Sequence, residues 1–221
     1  MNKRIDRFLR PETDVLIKYI KEHDIKISNI LEIGSLDARD AREFEEELNI
    51  NPSNIHVVEP DERSYSTLKI NYPEYNSYQL AFSNKNGTAR FKSITHIYDD
   101  DGRSSLMDRD GVYDDCKMFD VELIRADDFL NKYGFADVDL CKIDVEGHCF
   151  EVLQGFGAKL LNVRYYHLEH EDHQFWKDQT LYPTIKSFME ENGFMQLYYE
   201  GGGGQSNSFW KTSLPSITIP A

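Results

Sequence analysis

Cysteine is scarce in this 221-residue chain, and the little there is forms no pattern. Cys116, Cys141 and Cys149 are odd in number and include no Cys-x-x-Cys pair, so no disulfide framework is expected. Long apolar runs are missing too: none approaches the roughly 18–20 residues that a bilayer crossing requires. The opening segment, MNKRIDRFLRPE, has charges but neither an apolar stretch nor a small-residue cleavage site, so no secretory signal is expected. Together these absences point to a cytoplasmic, reducing location. Basic residues are outnumbered, 25 against 39 acidic, for a formal net charge of −14. Such a surface repels phosphate backbones and anionic lipid, so neither nucleic acid nor membrane is an expected partner without a local basic patch. The densest basic stretch, Lys3 to Arg10, is short, and the acidity reads first as solubility.

What is present can bury a core: 40% of residues are hydrophobic and 13% aromatic. The length suits one large domain, with no internal repeat and no separating linker. Val15, Leu16, Tyr19 and Ile20 have the spacing of an amphipathic helix over 12–24. Short apolar runs follow: NILEIG (29–34), IHVVEP (55–60), YQLAFS (78–83), VDLCKID (138–144), VRYYHLE (163–169) and FMQLYY (194–199). Helix-forming stretches, DARDAREFEEEL and ERSYSTLKINY, separate the first three. That alternation predicts a doubly wound, mostly parallel sheet covered on both faces. Asn86-Gly87 signals a hairpin, and Tyr98 to Cys116 reads as a long polar loop. After GGGG (201–204), SFWKT is expected to return as an antiparallel C-terminal edge strand.

In open α/β sheets ligands sit beyond the carboxyl ends of the strands, so the residues after each apolar run carry the information. The first run ends in LEIGSLDARD, presenting Glu32, Gly34, Ser35, Asp37 and Asp40. The dinucleotide fingerprint G-x-G-x-x-G is absent, and Asp37 and Asp40 would compete with a pyrophosphate for the helix N-terminus, unless they merely cap it. An acidic loop suits a cationic ligand better, and S-adenosylmethionine, with its sulfonium and ammonium, is one. Glu59 ends the second run 25 residues after Gly34, near the interval at which a carboxylate binds a ribose diol.

The fourth run ends in Lys142, Asp144 and Glu146, which share one face if the strand continues. Buried carboxylates need partners, so this end is either a structural ion pair or a device that orients a hydroxyl. The fifth end, YHLEHEDHQFW, repeats His167, His170 and His173 at a spacing that alternates faces on a strand and disfavours a zinc site. A hard cation such as magnesium between Asp144 and Glu169 is the better metal expectation. The acidic stretches DDDGR and DRDG fail the EF-hand template.

Taken together, KIDVEG followed by FEVLQG resembles the signature of the FkbM family of S-adenosylmethionine-dependent methyltransferases. VVEP, AFSNKNGTARF, SSL (104–106) and IRADDFL follow in the family's order. The resemblance covers roughly 29–211 and implies a class I methyltransferase, Rossmann-like fold. It also implies O-methylation of a small-molecule acceptor, a sugar or natural product. On it, residues 1–28 form an N-terminal helical segment and 29–221 the S-adenosylmethionine-binding domain. Glu32 and Gly34 would line the methionine part with Ser35 beside them. Glu59, with Pro60 after it, would take the ribose, and Ala81 and Phe82, then Ser83, would flank the adenine. Asp144 and Glu146 would face the methyl group, with Ser104, Ser105 and Asp127 near the mouth. Asp144 is the expected base or orienting group, with Lys142 holding it ionised and Glu146 or His148 as rivals. His148 itself is expected to face solvent. The first motif departs from the family at Leu36, usually Asn, and Ala38, usually a second Gly. Ala38 supports an alternative, a cofactor-fold binding module without turnover. Another is a metal-dependent hydrolase using the acidic strand ends.

Overall fold

The computed structural model describes residues 11–94, 103–109 and 116–213. In chain order the first half comprises α1 (Pro11–Glu22), β1 (Ile30–Ile33), α2 (Arg39–Leu48), β2 (Ile55–Val58), α3 (Glu62–Asn71), β3 (Asn76–Tyr78), β4 (Ala81–Ser83) and β5 (Gly87–Ser93). The second comprises β6 (Lys117–Arg125), α4 (Ala126–Tyr133), β7 (Val138–Ile143), α5 (Cys149–Gly155), β8 (Val163–Glu171), α6 (Tyr182–Glu191), β9 (Phe194–Gly202) and β10 (Gln205–Thr212).

The main sheet runs β3-β2-β1-β7-β8-β10-β9. Its first five strands are parallel, and β10 is antiparallel to both its neighbours. Strands this apolar on both faces need two covers. Leu16, Ile20, Ala41, Phe44 and Leu68 supply one, against Ile55, Val57 and Leu140. Phe129, Leu130, Val152, Leu153, Ile185 and Met189 supply the other, against Leu31, Ile33, Val58 and Ile143. Helix α1 begins at Pro11 with Glu12 and Asp14 in its first turn and Lys21 in its last, agreeing with the macrodipole at both ends.

Three local expectations change. YQLAFS divides: Asn76–Tyr78 joins the main sheet, while Ala81–Ser83 crosses into a smaller sheet of order β4-β6-β5. Asn86-Gly87 does not close a hairpin, because β6 lies between the strands it connects. Leu123 pairs with both Ala81 and Gly87. Asn86 serves that junction with its side chain, accepting from the Arg125 N–H at 2.7 Å and donating to Asp128 at 2.6 Å. The glycine run is the tight turn of the last hairpin, but its return strand is interior, and β9 is the edge. Of the expected loop from Tyr98 to Cys116, residues 98–102 and 110–115 lie outside the described set, and with them most of DDDGR and part of DRDG. In the described part Ser105 bridges to Lys92.

The chain turns one way from β1, toward β2 and β3, and the other way from β7, toward β8. The β1–β7 boundary is therefore the topological switch point, where a crevice opens at the carboxyl ends.

Candidate active site

At that boundary two turns meet. Gly34, at φ +83°, comes so close to the second turn that a Cβ would lie 1.7 Å from the Asp144 carbonyl oxygen. Only glycine fits there, for its φ and for the contact. The Gly34 N–H donates to Val58 at 3.0 Å, and the Asp144 N–H to Ile33 at 3.0 Å, locking both turns to neighbouring strands. Beyond Gly34 the chain stays left-handed at two side-chain-bearing residues, Leu36 (φ 51°) and Ala38 (φ 60°). These are the two departures from the family pattern, and each sits where asparagine or glycine is the less strained choice.

A cavity of about 250 Å³ opens above the turns. Gly34, Glu59, Pro60, Ala81, Phe82, Asp144 and Glu146 line it, together with Ser104, His148, Glu169 and Gln205. Ser35, Glu32, Lys142 and Asp127 do not. Ser35 is buried behind the turn, its hydroxyl donating to Val58. Glu32 lies in register with Lys142 in the sheet below. Asp127 pairs with Arg125 at 2.6 Å.

Glu59 is tied into the site by two backbone donors: Leu36 N–H to Oε2 at 2.8 Å and Asp61 N–H to Oε1 at 2.7 Å. Burial nevertheless pushes its pKa up to about 8, with Asp61 and Asp144 adding to the rise and the two N–H groups opposing it. One carboxylate thus couples the first strand end to the second.

Strand β7 ends at Ile143, so the expected alternation through Glu146 does not continue. Lys142 is buried beneath the cavity, its Nζ 2.9 Å from Asp144 Oδ2 and 2.9 Å from Asp40 Oδ2. Burial alone would lower the lysine, but Asp144, Asp40 and Glu32 more than offset it and hold it well above its ordinary range. Asp40 therefore does not cap α2; it points inward, and Ala38 occupies the N-cap position with no side-chain hydrogen bond to offer. Asp37 instead pairs with Arg39. The sequence hides the role of Asp40, because the partner is 102 residues away.

Glu146 (φ 49°) and Gly147 (φ 90°) form the turn after β7. Ser105 Oγ donates to the Glu146 carbonyl at 2.6 Å. The Glu146 Oε2 atom is sealed from solvent and accepts no hydrogen bond. Burial, then Asp144 and Glu171, raise its pKa well above the ordinary range, while Arg109 and Arg103 oppose the rise from a distance. Glu169, at the end of β8, accepts from Gln205 Nε2 at 3.0 Å, and burial followed by Asp144 and Glu146 raises it as well. Asp144, Glu146 and Glu169 each place a carboxylate oxygen within 4.8 Å of the other two, the one such metal-capable group among the described residues.

The histidines separate. His167 is buried in the sheet, and burial lowers its pKa to about 3. His170 stacks on Tyr182, with Nε2 2.9 Å from Ser208 Oγ, and His173 lies beyond the strand. His148, expected in solvent, lines the cavity instead. Its Nε2 lies 3.1 Å from Ser83 Oγ and its Nδ1 3.6 Å from Glu151, and burial lowers its pKa to about 4. Nothing in the sequence distinguished that placement, since a first-turn residue can face either way. Gln205 was also missed; only insertion of β10 beside β8 brings it to Glu169.

The family model described as Methyltransferase FkbM domain matches residues 15–195. A curated relative, the 2-O-methyltransferase NoeI of Sinorhizobium fredii, is 28% identical over 167 residues, 68% of this chain and 66% of that protein. The chain thus matches just under two thirds of that relative's length. A Streptococcus pneumoniae protein solved in complex with S-adenosyl-L-methionine shares the fold with a TM-score of 0.55 at 12% identity, covering 96% of this chain and 76% of that one. M. capricolum TrmK, solved with S-adenosyl-homocysteine, gives 0.53 at 7% identity, covering 96% and 72%. The architecture is the class I methyltransferase fold. No helix of the described residues is long and apolar enough to cross a membrane.

Proposed function

The chain belongs to the FkbM methyltransferase family, and on that premise we propose that it methylates a hydroxyl oxygen of a sugar or natural-product acceptor, using S-adenosylmethionine. The observation that carries the reading is the junction of Gly34 and Glu59 in one cavity at the switch point. The backbone approaches closely where a methionine moiety would lie. Glu59 is fixed by two backbone donors and keeps lone pairs for a cis diol. Ala81 and Phe82 are assigned to the adenine and Pro60 to the ribose side with Glu59, Ser35 supports the turn, and Glu32 adds charge below it. The acceptor oxygen is inferred from the name of the curated relative, a 2-O-methyltransferase.

When bound, S-adenosylmethionine supplies a methyl carbon whose bond to a cationic sulfur breaks with its electron pair left on sulfur. The remaining work is positioning. Asp144 orients the acceptor hydroxyl and receives its proton as the new carbon–oxygen bond forms. Lys142 holds Asp144 in place by an ion pair and is itself centred by Asp40. Glu146 is the alternative proton acceptor.

Calorimetric titration with S-adenosylmethionine tests the cofactor assignment, with Glu59→Ala and NAD as controls. Micromolar binding lost in the variant supports it; no binding, or equal binding by the variant, removes the ribose assignment. A cofactor-binding module without turnover is the second reading, favoured by the left-handed Ala38. Mass-spectrometric detection of a methylated sugar hydroxyl would exclude it. A metal-dependent hydrolase has no support from a family of methyltransferases.

A further inference from the structure

The cavity gathers more carboxyl groups than its proposed cofactor has cationic groups to meet. Glu59, Asp144, Glu146 and Glu169 line it, and no lysine or arginine is among its described lining residues. S-adenosylmethionine brings a sulfonium, an ammonium and a carboxylate, for a net charge of one. Two of the nearby cations already have partners. Lys142 lies between Asp40 and Asp144, and the Arg109 guanidinium stacks 4.9 Å over Phe175 and 5.0 Å over Trp176.

Against that surplus, Glu146 Oε2 is shut from water without a hydrogen-bond donor. Buried carboxylate oxygens are costly unless a donor or a cation meets them. Asp144 gives one oxygen to Lys142 and Glu169 one to Gln205, leaving each a second. The three carboxylates come from the ends of adjacent parallel strands, β7 and β8, and from the turn that Ser105 holds by its hydroxyl.

The geometry points to a divalent-cation site formed by Asp144, Glu146 and Glu169, of the magnesium or manganese class, which binds the acceptor hydroxyl beside the proposed cofactor site. An all-oxygen donor set selects hard cations and gives no ligand of choice for zinc or copper. Three protein oxygens leave open positions on a six-coordinate ion for water or for two neighbouring acceptor oxygens. The cation would also make the alcohol a stronger acid, offsetting the weakness of a carboxylate base toward an alkyl hydroxyl. This inference rests on the methyltransferase reading only for the acceptor; the ion site stands on the carboxylates.

The test is a titration of the full chain with Mn²⁺, followed by electron paramagnetic resonance, in the absence of cofactor and acceptor. One saturable ion per chain is expected, weakened about tenfold or more in both Glu146→Gln and Glu169→Gln as a charged ligand is lost. Circular dichroism melts identify any variant that fails to fold, and the other variant then decides. Mg²⁺ should displace the bound Mn²⁺, and Glu59→Gln should leave Mn²⁺ binding unchanged while weakening S-adenosylmethionine. Absence of saturable binding at millimolar Mn²⁺, or undiminished binding in the folded variants, overturns the site. A parallel S-adenosylmethionine titration in EDTA separates the two failures: cofactor binding without Mn²⁺ binding sinks the ion site alone, and the reverse sinks the cofactor assignment alone.

Discussion

Two turns leave adjacent strands at the switch point and touch each other, yet they use strain differently. The first, Gly34 to Ala38, holds left-handed residues at Gly34, Leu36 and Ala38, and of these only glycine suits the conformation. It packs against the Asp144 backbone, its Leu36 N–H donates to Glu59, and Asp37 pairs with Arg39. The second, Asp144 to Gly147, holds left-handed residues at Glu146 and Gly147, and carries two acids, Asp144 and Glu146. Left-handed placement costs a non-glycine residue about 1–2 kcal/mol in either turn. In the first turn that cost accompanies no visible chemistry. In the second it aims a carboxylate into the cavity. Equal backbone strain therefore carries different functional content, and substitutions can show it.

The largest effect should come from the charge that supports the second turn. Lys142→Met leaves Asp40 and Asp144 facing one another in a buried site, and should destabilise the fold by roughly 3–5 kcal/mol in a denaturant titration. A Lys142→Met variant that melts like the wild type would mean the buried pair does not hold the turn. Gly34→Ala strikes the contact between the turns. Its added Cβ meets the Asp144 carbonyl, and the loss should be about 2–4 kcal/mol from overpacking and a left-handed alanine combined.

Glu59 comes next and concerns binding. Glu59→Gln should weaken S-adenosylmethionine by about 10- to 100-fold, the range of a hydrogen bond to a charged group. The pH dependence has a definite sign. The folded pKa of Glu59 is raised, to about 8 against an ordinary 4.5, so its contribution to stability is full below 4.5 and is lost as pH rises through 8. Cofactor binding to the ionised carboxylate runs the other way, tightening from pH 6 toward 8 and levelling above it. Calorimetry across that range should show the slope in the wild type and none in Glu59→Gln.

The smallest effects separate the two turns most cleanly. Ala38→Gly and Glu146→Gly each relieve a left-handed residue and should raise stability by about 0.5–1 kcal/mol, the strain relieved less the added chain entropy. Methyl transfer should survive the first and fall in the second. If both keep full activity, the Glu146 carboxylate is dispensable.

Much of this site was legible because parallel strands write their ends into the sequence. NILEIG, IHVVEP and VDLCKID stop where the cavity begins, and Gly34, Glu59 and Asp144 are the residues at which they stop. The illegible features are those made by crossing elements. Asp40 reads as a helix-start acid because its lysine sits on another strand. Asn86-Gly87 reads as a hairpin because the strand that separates its arms comes 30 residues later. YQLAFS reads as one strand because a change of sheet at Gln79–Leu80 leaves no mark on hydrophobicity. The left-handed φ at Leu36 and Ala38 was foreshadowed only by comparison with the family pattern.

The interior position of β10 also orders events in time. Among the described residues it is the last strand in chain order, yet it lies between β8 and β9 and brings Gln205 to Glu169. Until residues 205–212 have emerged from the ribosome and docked, β8 presents an open edge and the acidic corner lacks one wall. Pairings so distant in sequence form slowly, and an unsatisfied strand edge invites the wrong partner. Trp210, fully buried within that last strand, would report the closing step by its fluorescence.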